Sequence, residues 1–353
     1  MTDTEPFVRK EFTPEQPAPA SEHGITGWMM KNLFSSPLNV VLTLLGVFLL
    51  YSIINPIIQF AFVDAIWEGK DREACAIEHA GACWAMVKAK FSQYIYFQYP
   101  RPERWRVDLV FYSGLALLVP LLIPSAPLKK WNAILLLAVY PVAAFALLYG
   151  GDWNIPFTDI SFLSLPVVET SVWGGLLVTL VIAVTGIVAS LPLGILFALG
   201  RRSDMPLVRS VCIAFIEFWR GIPLITVLFM SSVMLPLFLP EGVTFNKLLR
   251  ALIGVALFSS AYMAETIRGG LQAIPKGQYE GAQALGLGYW QTMNLIVLPQ
   301  AIKHVIPGIV NSFIALFKDT TLVLIIGMFD LLGAIQQSFT DSKWATETQD
   351  ETG

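Results

Sequence analysis

Long apolar runs separated by shorter polar connections dominate this chain. Seven runs have a length that can cross a membrane, since the hydrocarbon core needs roughly 20 apolar residues. They cover residues 38–63, 107–123, 131–149, 172–199, 221–239, 248–267 and 295–317. An eighth run, 320–335, has 16 residues and is marginal for crossing. The pattern predicts an all-α polytopic membrane protein.

Composition supports the same class. Of the 353 residues, 55% are hydrophobic and only 14% are charged, which is too apolar for a soluble globular protein of this size. The net charge of -3 and the lack of a basic run with interleaved aromatics argue against a nucleic-acid partner. Neither the three histidines nor the three cysteines show metal-ligand spacing, and no nucleophile or base motif is visible. We therefore expect no catalytic residue and no cofactor.

The distribution of positive charge predicts the orientation, because cytoplasmic loops are enriched in Lys and Arg. An N-terminus inside places seven basic residues of short loops in the cytoplasm: Lys129, Lys130, Arg201, Arg202, Arg209, Arg268 and Lys276. Segment 64–106 would then lie outside, although it carries seven basic residues beside six acids. In that oxidising compartment Cys75 and Cys83 could form a disulfide or stay as two thiols, and their spacing leaves both possibilities open.

One polar-mixed stretch, 273–299, interrupts the apolar runs of the second half. It predicts a short amphipathic helix with Pro275 at its first position, Glu280 near its positive end and Gly286 as a left-handed stop. Tyr279, Ala282 and Leu285 would share one face. Such a helix on the surface of a membrane protein suits the groove of a partner.

Seven residues of this stretch fall on the spacing of the E-A-A, G, I-x-L-P signature of ABC importer permeases: Glu280, Gly281, Ala282, Gly286, Ile296, Leu298 and Pro299. Gly281 stands where alanine is usual, which should loosen the helix by up to about 1 kcal/mol. The resemblance implies a MetI-like permease core in which this loop is the coupling helix docked on an ATP-binding subunit dimer. The implied coupling residues are Tyr279, Glu280, Gly281, Ala282, Leu285 and Gly286.

The resemblance also divides the chain. Residues 171–340 are similar to the polar amino-acid importer permeases, the histidine, arginine and glutamine uptake type. Residues 38–170 would be an extension with three spans and a long external loop, similar to that of the general L-amino acid permease subunit. Residues 1–37 are predicted to form a polar cytoplasmic tail, and residues 341–353 a second polar tail. The last span of the family, which follows the K-D-T segment, is expected to be missing.

Two charged clusters are candidates for the substrate path. Glu217 and Arg220 lie in a segment that resembles the family motif E-F-F-R-G-T-P-L, whose glutamate faces the path. The alternative is an ion pair between them at the cytoplasmic interface. The second cluster, Lys318, Asp319 and Thr320, resembles the K-D-T motif and could bind the ammonium and carboxylate of an amino acid. Its alternative is a polar helix end at the outer interface.

Three other sites are predicted to be structural. Gln300 and Asn311, on the same span as Asp319, are expected to form hydrogen bonds between helices rather than to bind substrate. Glu265 and Arg268, three residues apart, are expected to brace the start of the coupling loop.

The resemblance implies the permease subunit of an ABC importer that carries amino acids, a broad range of L-amino acids, across the bacterial inner membrane. Its expected partners are the ATPase dimer, a second permease subunit, a periplasmic amino-acid-binding protein, the amino-acid substrate and membrane lipid. The chain itself would not be an enzyme. A scaffold or sensor derived from a permease, without transport, is the alternative.

Overall fold

The structure, a computed structural model, describes residues 24–154, 161–238, 240 and 245–344. Parts of the predicted tails 1–37 and 341–353 and the last residue of the run 221–239 lie outside these residues. The chain forms two compact units, Met1–Val87 and Lys88–Gly353.

The first unit contains one long apolar helix. After α1 (Gly24–Asn32), α2 spans Pro37–Ile58, and a π-helical turn continues it over Gln59–Val63. Ser36 caps α2, since its side chain accepts a hydrogen bond from the amide of Asn39 at 3.2 Å. Cys75 and Cys83 are joined by a disulfide with Cα atoms 5.8 Å apart, which decides between the two alternatives.

Helix α3 (Trp84–Tyr96) leads into the second unit, which is almost entirely helical. Its further elements, in chain order, are α4 (Arg104–Leu122), α5 (Lys129–Ile134), α6 (Tyr140–Tyr149), the antiparallel strands β1 (Gly151–Asn154) and β2 (Ser161–Leu165), α7 (Gly175–Arg201), α8 (Pro206–Gly221), α9 (Leu224–Phe229), α10 (Lys247–Ala273), α11 (Lys276–Ala284), α12 (Tyr289–Thr292), α13 (Leu298–Asp319) and α14 (Leu331–Ser338). Short 3-10 segments lie at Arg72–Cys75, Arg101–Glu103, Thr170–Val172, Leu235–Phe238 and Thr320–Ile326, and π turns at Leu135–Val139, Met230–Met234 and Met293–Val297.

Six helical stretches of the described chain are long and apolar enough to cross a membrane, or seven if a bent pair counts as one span. The all-α polytopic prediction is confirmed. The run 221–239 differs from the other six: its helical part, Leu224–Phe238, qualifies as a span only together with Pro206–Gly221, from which it is bent by 101°. Pro223, which has no backbone N–H to continue the hydrogen bonds of a preceding helix, lies in this break.

The last apolar runs also differ from the prediction. The seventh span extends over Tyr289–Ile326 and thus includes the first part of the run 320–335. The rest of that run forms the separate helix α14, which begins where Asp330 accepts a hydrogen bond from the amide of Gly333. The eighth run therefore is not a span of its own.

The second unit is organised around α7, α10 and α13, which approach closely where small residues face a neighbour. A Cβ atom on Gly194 of α7 would lie 2.6 Å from Met263 Cγ and 3.1 Å from the amide nitrogen of Ala264 on α10. A Cβ atom on Gly270 of α10 would lie 2.5 Å from the carbonyl oxygen of Ala301 on α13. Helix contacts of this kind stabilise membrane bundles through van der Waals packing.

Buried apolar side chains form two clusters along these helices. One cluster surrounds the beginning of α7 and includes residues of α4, α6 and α10, among them Val107, Leu148, Leu177, Ile182 and Ala251. The other surrounds the end of α7 and includes Leu199, Ile216, Met263, Leu271 and Val297. The two spans of α4 to α6 thus share a core with the beginning of α7.

Substitution of Gly194 tests this packing. Gly194→Ala and Gly269→Ala both gain the same helix propensity, but the Gly269 position has no atom within 4 Å of an added Cβ. The difference in unfolding free energy between the two variants therefore measures the clash with Met263 and Ala264. We expect this clash to cost about 1 to 3 kcal/mol. Thermal unfolding in detergent should show a lower midpoint for Gly194→Ala. Equal midpoints would contradict the close approach of α7 and α10.

Candidate functional site

Helix α11 is the predicted coupling helix, and its ends show why it is short. It begins at Lys276, with Pro275 as an extended N-cap residue (φ -60°, ψ 143°), so the prediction that Pro275 starts the helix is wrong by one position. At the other end Gly286 has φ 73°. The amide of Leu287 donates to the carbonyl of Ala282 at 3.1 Å and that of Gly286 to Gln283 at 2.9 Å. This Schellman pattern confirms Gly286 as the stop.

The faces of α11 are divided differently from the prediction. Ala282 is only 1% exposed and Tyr279 is half-buried, so this face packs on the chain itself. Leu285 follows the helix as its C-cap and is 77% exposed. Glu280 and Gly281 are exposed, and no atom lies within 4 Å of a Cβ on Gly281. The face available to a partner therefore carries Glu280, Gly281 and Leu285.

Arg202, directly after α7, fixes α11 to two spans. Its Nη1 donates to the carbonyl of Leu271 in the last turn of α10 at 3.1 Å and to the Tyr279 hydroxyl at 3.2 Å. The guanidinium also lies 5.7 Å from the centre of the Tyr279 ring, a cation–π distance. We call this end of α7 the coupling end and the end at Gly175 the distal end. Arg202 thereby connects α11 to the ends of both α7 and α10.

Glu265 of α10 is the centre of a charge network at the coupling end. It accepts two hydrogen bonds from Arg268, one at 3.0 Å from Nε and one from Nη2. Its Oε2 also lies 3.6 Å from Arg201 and 3.7 Å from Arg220. All four side chains are between 22% and 35% exposed. One carboxylate thus joins α7, α8 and α10.

Glu217 and Arg220 do not pair with each other. Glu217 accepts a hydrogen bond from Arg201 at 2.9 Å, and its side chain is 57% exposed. Arg220 faces Glu265 and lies 5.7 Å from the ring centre of Tyr262. Both residues therefore belong to the network at the coupling end, and the alternative of an ion pair between them is not what the structure shows.

The second candidate cluster lies far from the first. Leu316 packs at Gly186, where an added Cβ would be 2.8 Å from it, and Gly186 is 15 residues before Arg201 on α7. At a rise of 1.5 Å per residue, Gly186 and Leu316 therefore lie about 22 Å from the coupling end along α7. Asp319, one turn beyond Leu316, is half-buried and accepts no side-chain hydrogen bond among the described residues. The two clusters therefore do not form one site in this structure.

The side chains of Lys318, Asp319 and Thr320 differ in solvent exposure. Lys318 is exposed, whereas Thr320 is only 2% exposed and its hydroxyl donates to the carbonyl of Phe317 at 2.9 Å. The Thr320 hydroxyl is thus engaged within its own helix. Of the three residues, only Lys318 and Asp319 are accessible at the surface of the described chain.

Of the two amide residues of α13 that were predicted to form hydrogen bonds between helices, Gln300 does so and Asn311, within the described chain, does not. Gln300 donates to Gln278 of α11 and to the carbonyl of Ile296, both at 2.9 Å, so it holds the coupling helix rather than another span. Asn311 is exposed and has no side-chain hydrogen bond within the described ranges.

Comparison with known proteins identifies the family. The family described as "Binding-protein-dependent transport system inner membrane component" matches residues 190–345. Over 339 residues the chain is 50% identical to the inner membrane amino-acid ABC transporter permease protein YhdY of Escherichia coli (strain K12), which covers 96% of this chain and 89% of that protein. The chain belongs to the amino-acid ABC importer permeases.

Another relative and a solved structure are similar to this importer permease. The glutamate/glutamine/aspartate/asparagine transport system permease protein BztC of Rhodobacter capsulatus is 41% identical over 392 residues, with 95% of this chain and 89% of that protein covered. A crystal structure of an amino acid ABC transporter with histidines shares 33% identity over 48% of this chain and 78% of that chain, at a TM-score of 0.42. The chain is a permease subunit of an amino-acid importer and a multi-pass protein of the inner membrane.

Removal of the Glu265 charge tests the network. Glu265→Gln keeps the shape but weakens charge-assisted bonds to the arginines, so we expect a loss of about 1.5 to 3 kcal/mol. Glu217→Gln is the matched control: its exposed pair should contribute less than about 1 kcal/mol. Thermal unfolding in detergent should give the lower midpoint for Glu265→Gln. An equal effect of the two variants would show that Glu265 is not the centre of the network.

Proposed function

We propose that this permease forms a heterodimer with a second permease subunit and that a dimer of ATP-binding subunits docks on the exposed face of α11. A soluble amino-acid-binding protein would deliver substrate at the distal end. The observation that carries the proposal is the attachment of α11: one face is held by Arg202 to the ends of α7 and α10, and the other is exposed.

The contacts of α11 suggest how the ATPase drives transport. Tyr279 and Ala282 anchor α11 to the permease, Glu280, Gly281 and Leu285 meet the ATPase, and Gly286 ends the helix. ATP hydrolysis takes place in the partner. A partner can shift a conformational equilibrium only if it binds one state better. Closure of the ATPase dimer would move α11, and through Arg202 and Glu265 the coupling ends of α7, α8 and α10.

The proposed substrate path includes Lys318, Asp319 and Thr320 on α13 and, at the coupling end, Glu217 and Arg220. Carboxylates within a span are costly unless they face a cavity or a partner, and half-buried Asp319 has no partner among the described residues. Asp319 would bind the substrate ammonium, and Lys318 its carboxylate. We propose a broad range of L-amino acids. The four amino acids in the name of the relative BztC are the first to test.

Reversal of one charge on α11 tests ATPase docking. Glu280→Lys should abolish co-purification of the ATP-binding subunit and substrate-stimulated ATP hydrolysis in reconstituted complexes, because a reversed charge at a docked interface costs several kcal/mol. Glu169→Lys, which changes an exposed acid near the distal end, is the matched control and should retain both. Unchanged co-purification in Glu280→Lys would refute this docking face. A wild-type complex that never responds to substrate would favour the scaffold alternative.

Neutralisation of Asp319 tests the substrate path. Asp319→Asn keeps the shape but loses the charge that would pair with a substrate ammonium, a bond of about 1.5 to 3 kcal/mol. We expect roughly ten- to a hundred-fold weaker apparent affinity in proteoliposome uptake assays at normal membrane abundance. Asp330→Asn is the control, since asparagine also caps a helix well and α14 should stay intact. Full uptake by Asp319→Asn would leave Asp319 as an interfacial helix end.

A further inference from the structure

Helix α3 of the extension is attached to α14 at the distal end. The hydroxyls of Tyr94 and Ser338 lie 3.1 Å apart, and both residues are buried. The rings of Phe97 and Phe329 stack with centres 5.1 Å apart. Lys90 forms an ion pair with Asp341 just beyond α14. Three contacts over two turns therefore hold α3 on the permease core.

The beginning of α14 and the residue just before its cap are joined to the first turn of α7. The amide of Gly175 donates to the carbonyl of Phe329 at 2.8 Å, and that of Leu331 donates to the Thr179 hydroxyl at 2.9 Å. Gly175 has φ 63°, and a Cβ there would lie 2.4 Å from the carbonyl oxygen of Tyr94. Only glycine fits this approach without strain. Helices α3 and α14 are therefore both joined to the distal end of α7.

Between α3 and α14 lies an open polar cleft of about 540 Å³. It is lined by Ala89, Lys90, Ser92, Gln93, Phe97, Gln98, Arg101, Arg104, Gln337, Thr340 and Asp341. Arg104 donates to Ser92 at 2.5 Å and to the carbonyl of Tyr99 at 3.3 Å. Arg101 is exposed and has no side-chain partner within the described chain.

Charge in this α3–α14 cleft is positive. Three cations face one carboxylate, that of Asp341, whose pKa is lowered by hydrogen bonding to Lys90. After the pair of Lys90 with Asp341, the charges of Arg101 and Arg104 remain unbalanced. An occupant of the cleft should therefore carry negative charge.

The position of the cleft identifies the side of the membrane. Helix α7 has 27 residues, which corresponds to about 40 Å, more than the roughly 30 Å of a hydrocarbon core. Its coupling end contacts α11 and its distal end contacts α3 and α14. The cleft and the coupling helix therefore lie on opposite faces of the bilayer.

We propose that the α3–α14 cleft docks an acidic surface of the importer's soluble binding protein. This inference rests on the proposed function, which places the ATPase at α11 and hence the binding protein at the opposite face. The family description names dependence on a binding protein, and the cleft supplies unbalanced guanidinium groups at the face where that protein arrives. Because α3 and α14 are joined to the first turn of α7, docking there would act on the helix that holds α11.

Charge reversal at the exposed Arg101 tests the docking surface. The full complex is placed in nanodiscs of zwitterionic lipid, so that no anionic headgroup can fill the cleft, and binding-protein affinity is measured at several salt concentrations. Arg101→Glu should weaken association at least about ten-fold and reduce its salt dependence, since rim charges steer charged partners. Lys130→Glu, between α4 and α6, is the matched control and should bind like wild type. A short poly-glutamate peptide should compete with the binding protein for the wild-type complex only.

The outcomes separate this inference from the proposed function. Wild-type affinity and salt dependence in Arg101→Glu would overturn the docking surface, while substrate-stimulated ATP hydrolysis would still support the importer. Loss of ATPase binding in Arg101→Glu would show damage to the fold and refute a local docking role. An impermeant thiol reagent should label Gln98→Cys from outside intact cells and Gln283→Cys only after lysis. The reverse pattern would overturn both orientation and docking site.

Discussion

The close approach of α7 to α10 is the constraint on which the rest of the permease depends. Gly194 brings Met263 and the backbone of Ala264 so near that a methyl group has no room, and Gly270 does the same for α13. Lipid tails are as apolar as the side chains, so such contact, rather than hydrophobic burial alone, must hold the spans together. Two helices fixed in this way can carry a displacement from one membrane face to the other.

The two ends of α7 are joined to their neighbours by different kinds of polar contact. At the coupling end Arg202 and Glu265 join α7, α8, α10 and α11 through charged bonds that are partly exposed to water. Each such bond contributes modestly on its own, and a shared carboxylate makes them interdependent. At the distal end backbone hydrogen bonds and a glycine without room for a side chain join α7 to α3 and α14. Side-chain contacts thus connect the coupling end to its partners, whereas backbone contacts hold the distal end.

Helices α4 and α6 of the extension pack against the permease core. Arg106 of α4 is fully buried, pairs with Glu103 at 2.6 Å and donates to the carbonyl of Pro166 at 2.9 Å. These two contacts offset part of the cost of burying the guanidinium. Together with Val107 and Leu148, it places α4 and α6 against the beginning of α7. The extra helices thereby give this permease an additional surface at the distal face.

Local sequence properties were enough to predict six of the seven spans, the all-α class and the stop of the coupling helix. These depend on local properties: apolar length against the membrane thickness, and the left-handed conformation that Gly286 adopts at low cost. The contact partners of these elements follow from the folded structure. Arg202 and Tyr279 are 77 positions apart, Glu217 bonds to Arg201 rather than to Arg220, and Ala282 faces inward. No periodic pattern encodes these pairings, because they follow from how helices distant in sequence pack against one another.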